Sequence, residues 1–140
     1  MVTVLPVVGV DVEAAVIAAL RPVLPAGTVV ATEVPRTASG DLRFPARMVR
    51  VTRTGGVLFS PAHDRPTVLV ECWAAVSTDA WALAGAARQA MTAWDDELSA
   101  GAWLTHLSEG SGPVNHPDVR TAHARYQFLH ELQVRSQIGA

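Results

Sequence analysis

The sequence predicts an α+β domain: a mostly antiparallel or mixed β-sheet covered by two helices, one N-terminal and one long and central. Three observations carry that prediction. Residues 67–76 (Thr-Val-Leu-Val-Glu-Cys-Trp-Ala-Ala-Val) are a β-branched and aromatic run opened by Pro66, the composition of a buried strand. Directly after it, Ala80, Ala84, Ala87, Met91, Trp94 and Leu98 recur at alternating steps of four and three, which places them in one apolar helical stripe. In residues 121–134, Ala124, Tyr126, Phe128, His130, Leu132 and Val134 alternate with His123, Arg125, Gln127, Glu131 and Gln133. That period reads as a strand with one buried and one wet face, the habit of an antiparallel sheet.

Taken in order, the chain first offers an apolar lead, residues 1–10. No Lys or Arg precedes it, and Asp11 and Glu13 interrupt it, so it is not read as a signal peptide. Asp11 then caps a helix in which Val12, Val16, Ala19, Leu20 and Val23 share a face, and Pro22, Pro25 and Gly27 end it. Residues 28–34 read as a strand closed by Pro35, and residues 36–41 as a mobile loop. A second strand covers residues 44–54. Gly55-Gly56 predicts a two-residue hairpin turn, with Val57, Leu58 and Phe59 as the return arm. Residues 60–65 form a loop in which His63-Asp64 is a turn, and Pro66 leads into the central strand.

Ser77, Thr78 and Asp79 supply a hydroxyl cap and a first-turn carboxylate for the long helix. Gly101 is placed to end that helix in the left-handed conformation. Residues 102–107 are a short strand, residues 109–117 a loop by their Gly and Pro content, and residues 121–134 the last strand. The expected order is α-β-β-β-β-α-β-β in one domain spanning residues 1–140.

At 140 residues a globule buries roughly two-thirds of the surface its unfolded chain exposes, enough for its own core. Hydrophobic residues make up 49% and charged residues 17%, a surface poor in charge that points to subunit contacts. A net charge of −2 leaves no basic surplus for nucleic-acid phosphates or anionic lipids. All eleven basic side chains are Arg, the mark of a GC-rich genome. Cys72 stands alone inside a predicted strand, so no intrachain disulfide exists and a buried inert thiol is expected. No run of about eighteen uncharged apolar residues is present, and the product is read as cytosolic.

No catalytic constellation emerges. His116, Asp118 and His123 could form an open metal site, but they sit around a Gly/Pro-rich segment that is a poor scaffold for ligands. His130 is spaced onto a buried face, where a hydrogen-bonded core or interface histidine is expected. Gly110-Ser111-Gly112 lacks the Lys and following helix of a phosphate loop. Asp95, Asp96 and Glu97 read as a solvated or interface face late in the long helix. Arg47, Arg50 and Arg53 do not share one strand face, and with Arg125 they are candidate charges at a subunit or tube interface.

The whole pattern resembles the tail terminator (tail completion) proteins of long-tailed bacteriophages, especially those of GC-rich actinobacteria. The resemblance is carried by the N-terminal helix followed by Val29-Val30-Ala31-Thr32-Glu33-Val34-Pro35, and by the Arg-rich strand ending in Gly55-Gly56. It continues with residues 64–73 ahead of an Ala-rich helix, then Pro117-Asp118, and Arg125-Tyr126-Gln127-Phe128 leading to Val134-Arg135. It implies a structural virion subunit, made in the bacterial cytoplasm, that assembles with itself, commonly as a hexameric ring. The implied partners are the major tail tube protein, whose polymerisation it stops, and the head-tail connector or stopper protein. No cofactor, metal, catalytic residue, membrane or sequence-specific nucleic acid is implied, although DNA passes through such a ring's lumen. Two other readings compete: another neck component, such as a head-closure or adaptor protein, and a small oligomeric metal-dependent enzyme using His116, Asp118 and His123. Residues 36–41 and 109–117 are expected to order on docking.

Overall fold

The computed structural model describes residues 10–136; the apolar lead before them lies outside the described residues. Two helices cover one face of a mixed six-stranded sheet. The first helix, α1 (Val12–Leu20), starts where the Asp11 carboxylate accepts from the Ala14 amide at 3.0 Å, which satisfies an orphan donor at the positive end of the helix dipole. It buries Val12, Ala15, Val16, Ile17 and Leu20. A short 3-10 turn at Arg21–Val23 follows, and Val23, expected on the buried stripe, is exposed there.

The strands are β1 (Val29–Ala31), β2 (Arg47–Ser60), β3 (His63–Ala74), β4 (Glu97–Ser99), β5 (Ala102–Asn115) and β6 (Ala124–Ser136), with the second helix, α2 (Ser77–Thr92), after β3. Their spatial order is β1-β2-β3-β6-β5-β4. β1 runs parallel to β2 and every other neighbouring pair is antiparallel. β1 is shorter than the predicted residues 28–34, because only Val29, Val30 and Ala31 reach partners on β2.

Four local expectations give way to the tertiary structure. Gly55-Gly56 is not a turn. Both residues lie inside β2, beside a register shift, and the hairpin closes at Pro61 and Ala62 between the paired Ser60 and His63. Gly56 has φ +105°, and a Cβ there would lie 2.2 Å from the Arg65 carbonyl oxygen. The position needs glycine for an irregular strand rather than for a turn. The predicted turn at His63-Asp64 is accordingly the start of β3.

Second, α2 stops at Thr92 instead of running to the predicted end near residue 100. Its N-cap is Val76, with no side-chain cap, so the hydroxyl cap expected at Ser77 is not made. Trp94 is buried just past the helix, whereas Leu98 leaves the stripe for β4 and is exposed. Third, Gly101 does not cap α2. Ala100 and Gly101 have φ of 47° and 78°, both positive, as a type I′ turn between β4 and β5 requires. Fourth, residues 109–115 are strand, not loop: β5 continues through Gly110, Gly112 and Pro113 by three shifts of register against β6. A neighbouring strand supplies hydrogen-bond partners that override local turn propensity.

The core lies between the helices and one sheet face, where Val49, Val51, Val68, Val70, Cys72, Leu104, Phe128, Leu132 and Val134 meet α1 and α2. β6 buries Phe128, His130, Leu132 and Val134 as its alternation predicts. α1 is tied to both sides of the sheet. Glu13 accepts from the Arg53 amide of β2 at 2.8 Å, and Ser99 of β4 donates to the Ala15 carbonyl at 2.7 Å.

Candidate assembly surface

On the face of the sheet away from the helices, Met48 and Trp73 are paired across β2 and β3 and fully buried. Val34, Leu42 and Phe44, from the segment joining β1 to β2, cover them. The Phe44 ring lies 5.5 Å from Trp73 and 6.0 Å from His123.

A chain of charges runs beside this apolar patch. Glu71, 6% exposed in β3, receives Arg125 of β6 at 2.9 Å and the longer Arg50 contact at 3.8 Å. Asp118, in the segment between β5 and β6, accepts from Trp73 Nε1 at 3.3 Å and from Arg120 Nη2 at 2.7 Å. The Arg120 hydrogen bonds hold the Asp118 carboxyl well below the usual carboxylate range against the opposing effect of burial. Arg125 also donates to the His116 carbonyl at 2.7 Å, and its guanidinium stands over Trp73. Burial pushes the Cys72 thiol up, with Glu71 adding to the shift, so the thiol is held un-ionised.

At the other end of the sheet, the outer strand of the β2–β3 hairpin forms an apolar arm. The ladder between β3 and β6 reaches Asp64, opposite Val134, so Val57 and Leu58, paired with Arg65 and Asp64, lie level with its last rungs and Phe59 sits next to the turn. The three are 68%, 60% and 59% exposed. Consecutive strand residues point to opposite faces, so both sides of the ribbon are apolar and open. Arg53 and Asp64 brace its base as a two-point ion pair, and the Arg65 guanidinium covers the Phe59 ring at 3.6 Å. Three adjacent exposed apolar side chains thus lie on a strand with a free outer edge, since β1 pairs with β2 only at residues 48–50.

A third feature joins α2 to β5. Arg88 holds Glu109 through two hydrogen bonds of 2.6 and 2.7 Å, and Glu109 accepts from the buried His130 at 2.9 Å. Arg88 first and His130 second lower the Glu109 carboxyl to about 2. Burial lowers the His130 imidazole, whose other ring nitrogen meets His106 at 3.2 Å.

A family model described as phage tail termination protein matches residues 9–139. The chain belongs to that family. No curated protein matches it. As a tail termination family member it is a structural component of the phage tail with a part in tail assembly. No helix among the described residues is long and apolar enough to cross a membrane.

Of the four arginines singled out in the sequence, Arg50 and Arg125 converge on Glu71, and Arg53 is committed to Asp64. Arg47 opens β2, half-buried, with no side-chain partner among the described residues. His116, Asp118 and His123 are not brought together as ligands. Asp118 is taken up by Trp73 and Arg120, and the His123 ring bonds the Pro45 carbonyl at 3.0 Å. Among the described residues no group of three His, Cys, Asp or Glu is placed to hold a metal. Asp95 and Asp96, expected on the helix, form the turn into β4, and Glu97 opens that strand.

Sequence reasoning missed Glu71, Trp73 and Arg120 as parts of one network. The available signal was Glu71 itself, a single carboxylate inside an apolar run, which demands a buried cationic partner. It also missed the arm, because Gly55-Gly56 drew the turn six residues before the observed one at Pro61-Ala62.

Proposed function

We propose that the protein caps the head-proximal end of the tail tube as a homo-oligomeric ring, six copies being the expected number, and forms the joint to the head connector. The ring ends polymerisation of the tube protein by matching the tube on one face and refusing the next tube ring on the other. The family match over residues 9–139 carries this reading. The arm supports it, since a two-sided apolar ribbon has no use in a solitary molecule.

In this reading the arm docks on the tube or on a neighbouring copy, and Arg47, with an unengaged guanidinium, lies at a subunit or tube contact. Arg50, Arg53 and Arg125 act by holding the shape of the surface around them. The reaction is geometric: no bond is made or broken. Electron microscopy of particles assembled without this protein tests it. Overlong tails, or tails without heads, are expected; tails of normal length joined to heads would sink the proposal.

A further inference from the structure

The two edges of the sheet carry opposite charge. Beside β1, at one edge, Glu33, Val34, Arg36, Leu42, Arg50 and Arg120 line a concavity of about 160 Å³. Together with Arg125 behind it, four guanidiniums face three carboxylates, those of Glu33, Glu71 and Asp118. The pairing within the chain is incomplete. Arg125 and Arg120 make close contacts to Glu71 and Asp118, while Arg50 stays 3.8 Å from Glu71 and Arg36 donates only to the Gly40 carbonyl. One positive charge is left over, with planar donors at the mouth of a recess, the arrangement a carboxylate fills.

The other edge is β4, entered through a turn of Asp95 and Asp96 and opened by Glu97. Asp96 adopts φ 48° and its amide donates to Thr105 Oγ1 at 3.0 Å, which fixes the turn against β5. All three carboxylates are exposed. Only Asp96 meets a cation, Arg135 at 3.6 Å, and Asp95 and Glu97 have no partner among the described residues.

We propose that the arginine-lined concavity beside β1 receives the acidic turn, residues 95–97, of a second copy of this chain. The inference rests on the ring reading and gives it a contact. Because recess and turn occupy opposite edges of one sheet, each copy uses a different surface on either side. Such a heterologous contact closes a ring when the rotation between copies permits, whereas a two-fold contact would stop at a dimer. Both edge strands are only three residues long, too short to template unspecific strand pairing, so charge selects the partner and the register.

The test uses phage whose own copy of the gene is deleted and complemented in the host. Arg36 and Glu97 are exposed and outside the buried network. Tails carrying Arg36→Cys with Glu97→Cys, treated with a short bis-maleimide, are expected to give a ladder of covalent multimers. Each single-cysteine variant should stay monomeric, the native Cys72 being buried. Dimers from Arg36→Cys alone, or monomers only from the double variant present in tails, would overturn the contact.

As an independent measure, Arg36→Glu and Glu97→Arg are each expected to lower plaque titre about tenfold or more, and the double variant to restore it. Full titre for both single variants, or a loss in Arg36→Glu that Glu97→Arg fails to repair, also overturns it. The second result would show that the recess takes another anion, such as a phosphate. Normal headed tails in the uncomplemented deletion would remove the ring reading itself, a result separate from the cross-linking.

Discussion

On the helix-covered face of the sheet, Val49, Val51, Val68, Val70, Phe128, Leu132 and Val134 pack against α1 and α2 with few polar atoms among them. On the opposite face, the comparable layer is Trp73, Met48 and Phe44 set beside Glu71, Arg125, Asp118 and Arg120. The first face is where apolar area leaves water, so it supplies most of the stability. The second contributes less, since charges gain little net when removed from water as a pair. It does something the first cannot: Asp118, held by Trp73, Arg120 and Arg125, fixes the path of residues 116–123, because a displaced loop leaves buried charges without their partner. Val34, Leu42 and Phe44 anchor residues 32–46 on Trp73 and Met48. One face holds the molecule together and the other shapes the loops that cover it.

Truncating the first face should cost most. Phe128→Ala, at a fully buried position, is expected to lose about 3–5 kcal/mol by denaturant unfolding; a loss below that of the polar-face variants would reverse the roles assigned to the two faces. Gly56→Ala comes next. The new methyl meets the Arg65 carbonyl and the backbone must leave a positive φ, so a loss of about 2–3 kcal/mol is expected. Gly55→Ala, which meets nothing within 4 Å, should cost less.

On the second face, Glu71→Gln leaves Arg125 and Arg50 without their shared carboxylate, an expected loss of about 2 kcal/mol. Proteolysis of residues 116–123 no faster in this variant than in the wild type would contradict the assigned role.

Acid should separate the groups by pH. The His130 imidazole is lowered in the folded chain, so the unfolded chain takes up the proton first. Stability therefore begins to fall as pH drops through the unfolded value of about 6.5. His130→Gln should remove that early step in thermal melts. Glu109 and Asp118 are also lowered. Their contribution is intact above the unfolded carboxylate range near 4 and is lost as pH falls below it toward their folded values.

The smallest effect on stability belongs to the arm. Leu58→Ser is expected to stay within about 0.5 kcal/mol of wild type while lowering the amount of protein found in purified tails. A melt as damaged as that of Phe128→Ala would mean that the arm packs on its own body.

Several features were legible because they depend on neighbours in the chain. The Asp11 cap, the burial of alternate residues on β6 and the apolar stripe from Ala80 to Met91 follow from one side chain's reach, a period of two and a period of 3.6. The order and spacing of short patterns also sufficed for the resemblance to tail terminators. The polar network was not legible. Glu71 and Arg125 are 54 residues apart, and only the register that places Trp73 opposite Arg125 brings them together.

The amino-acid order alone thus determined the class of fold, the two helices, the buried faces of the main strands and the family. Tertiary structure decided where strands turn. Gly55-Gly56 and residues 110–113 carry turn composition, yet both lie within strands: Gly55 and Gly56 face Thr67 and Pro66, and Ser111 faces Leu129 between two register shifts. Local propensity is worth about 1 kcal/mol per residue, whereas a buried backbone group left unpaired costs as much or more at every position. A long ladder therefore outweighs a short turn signal, and the arm exists because it does.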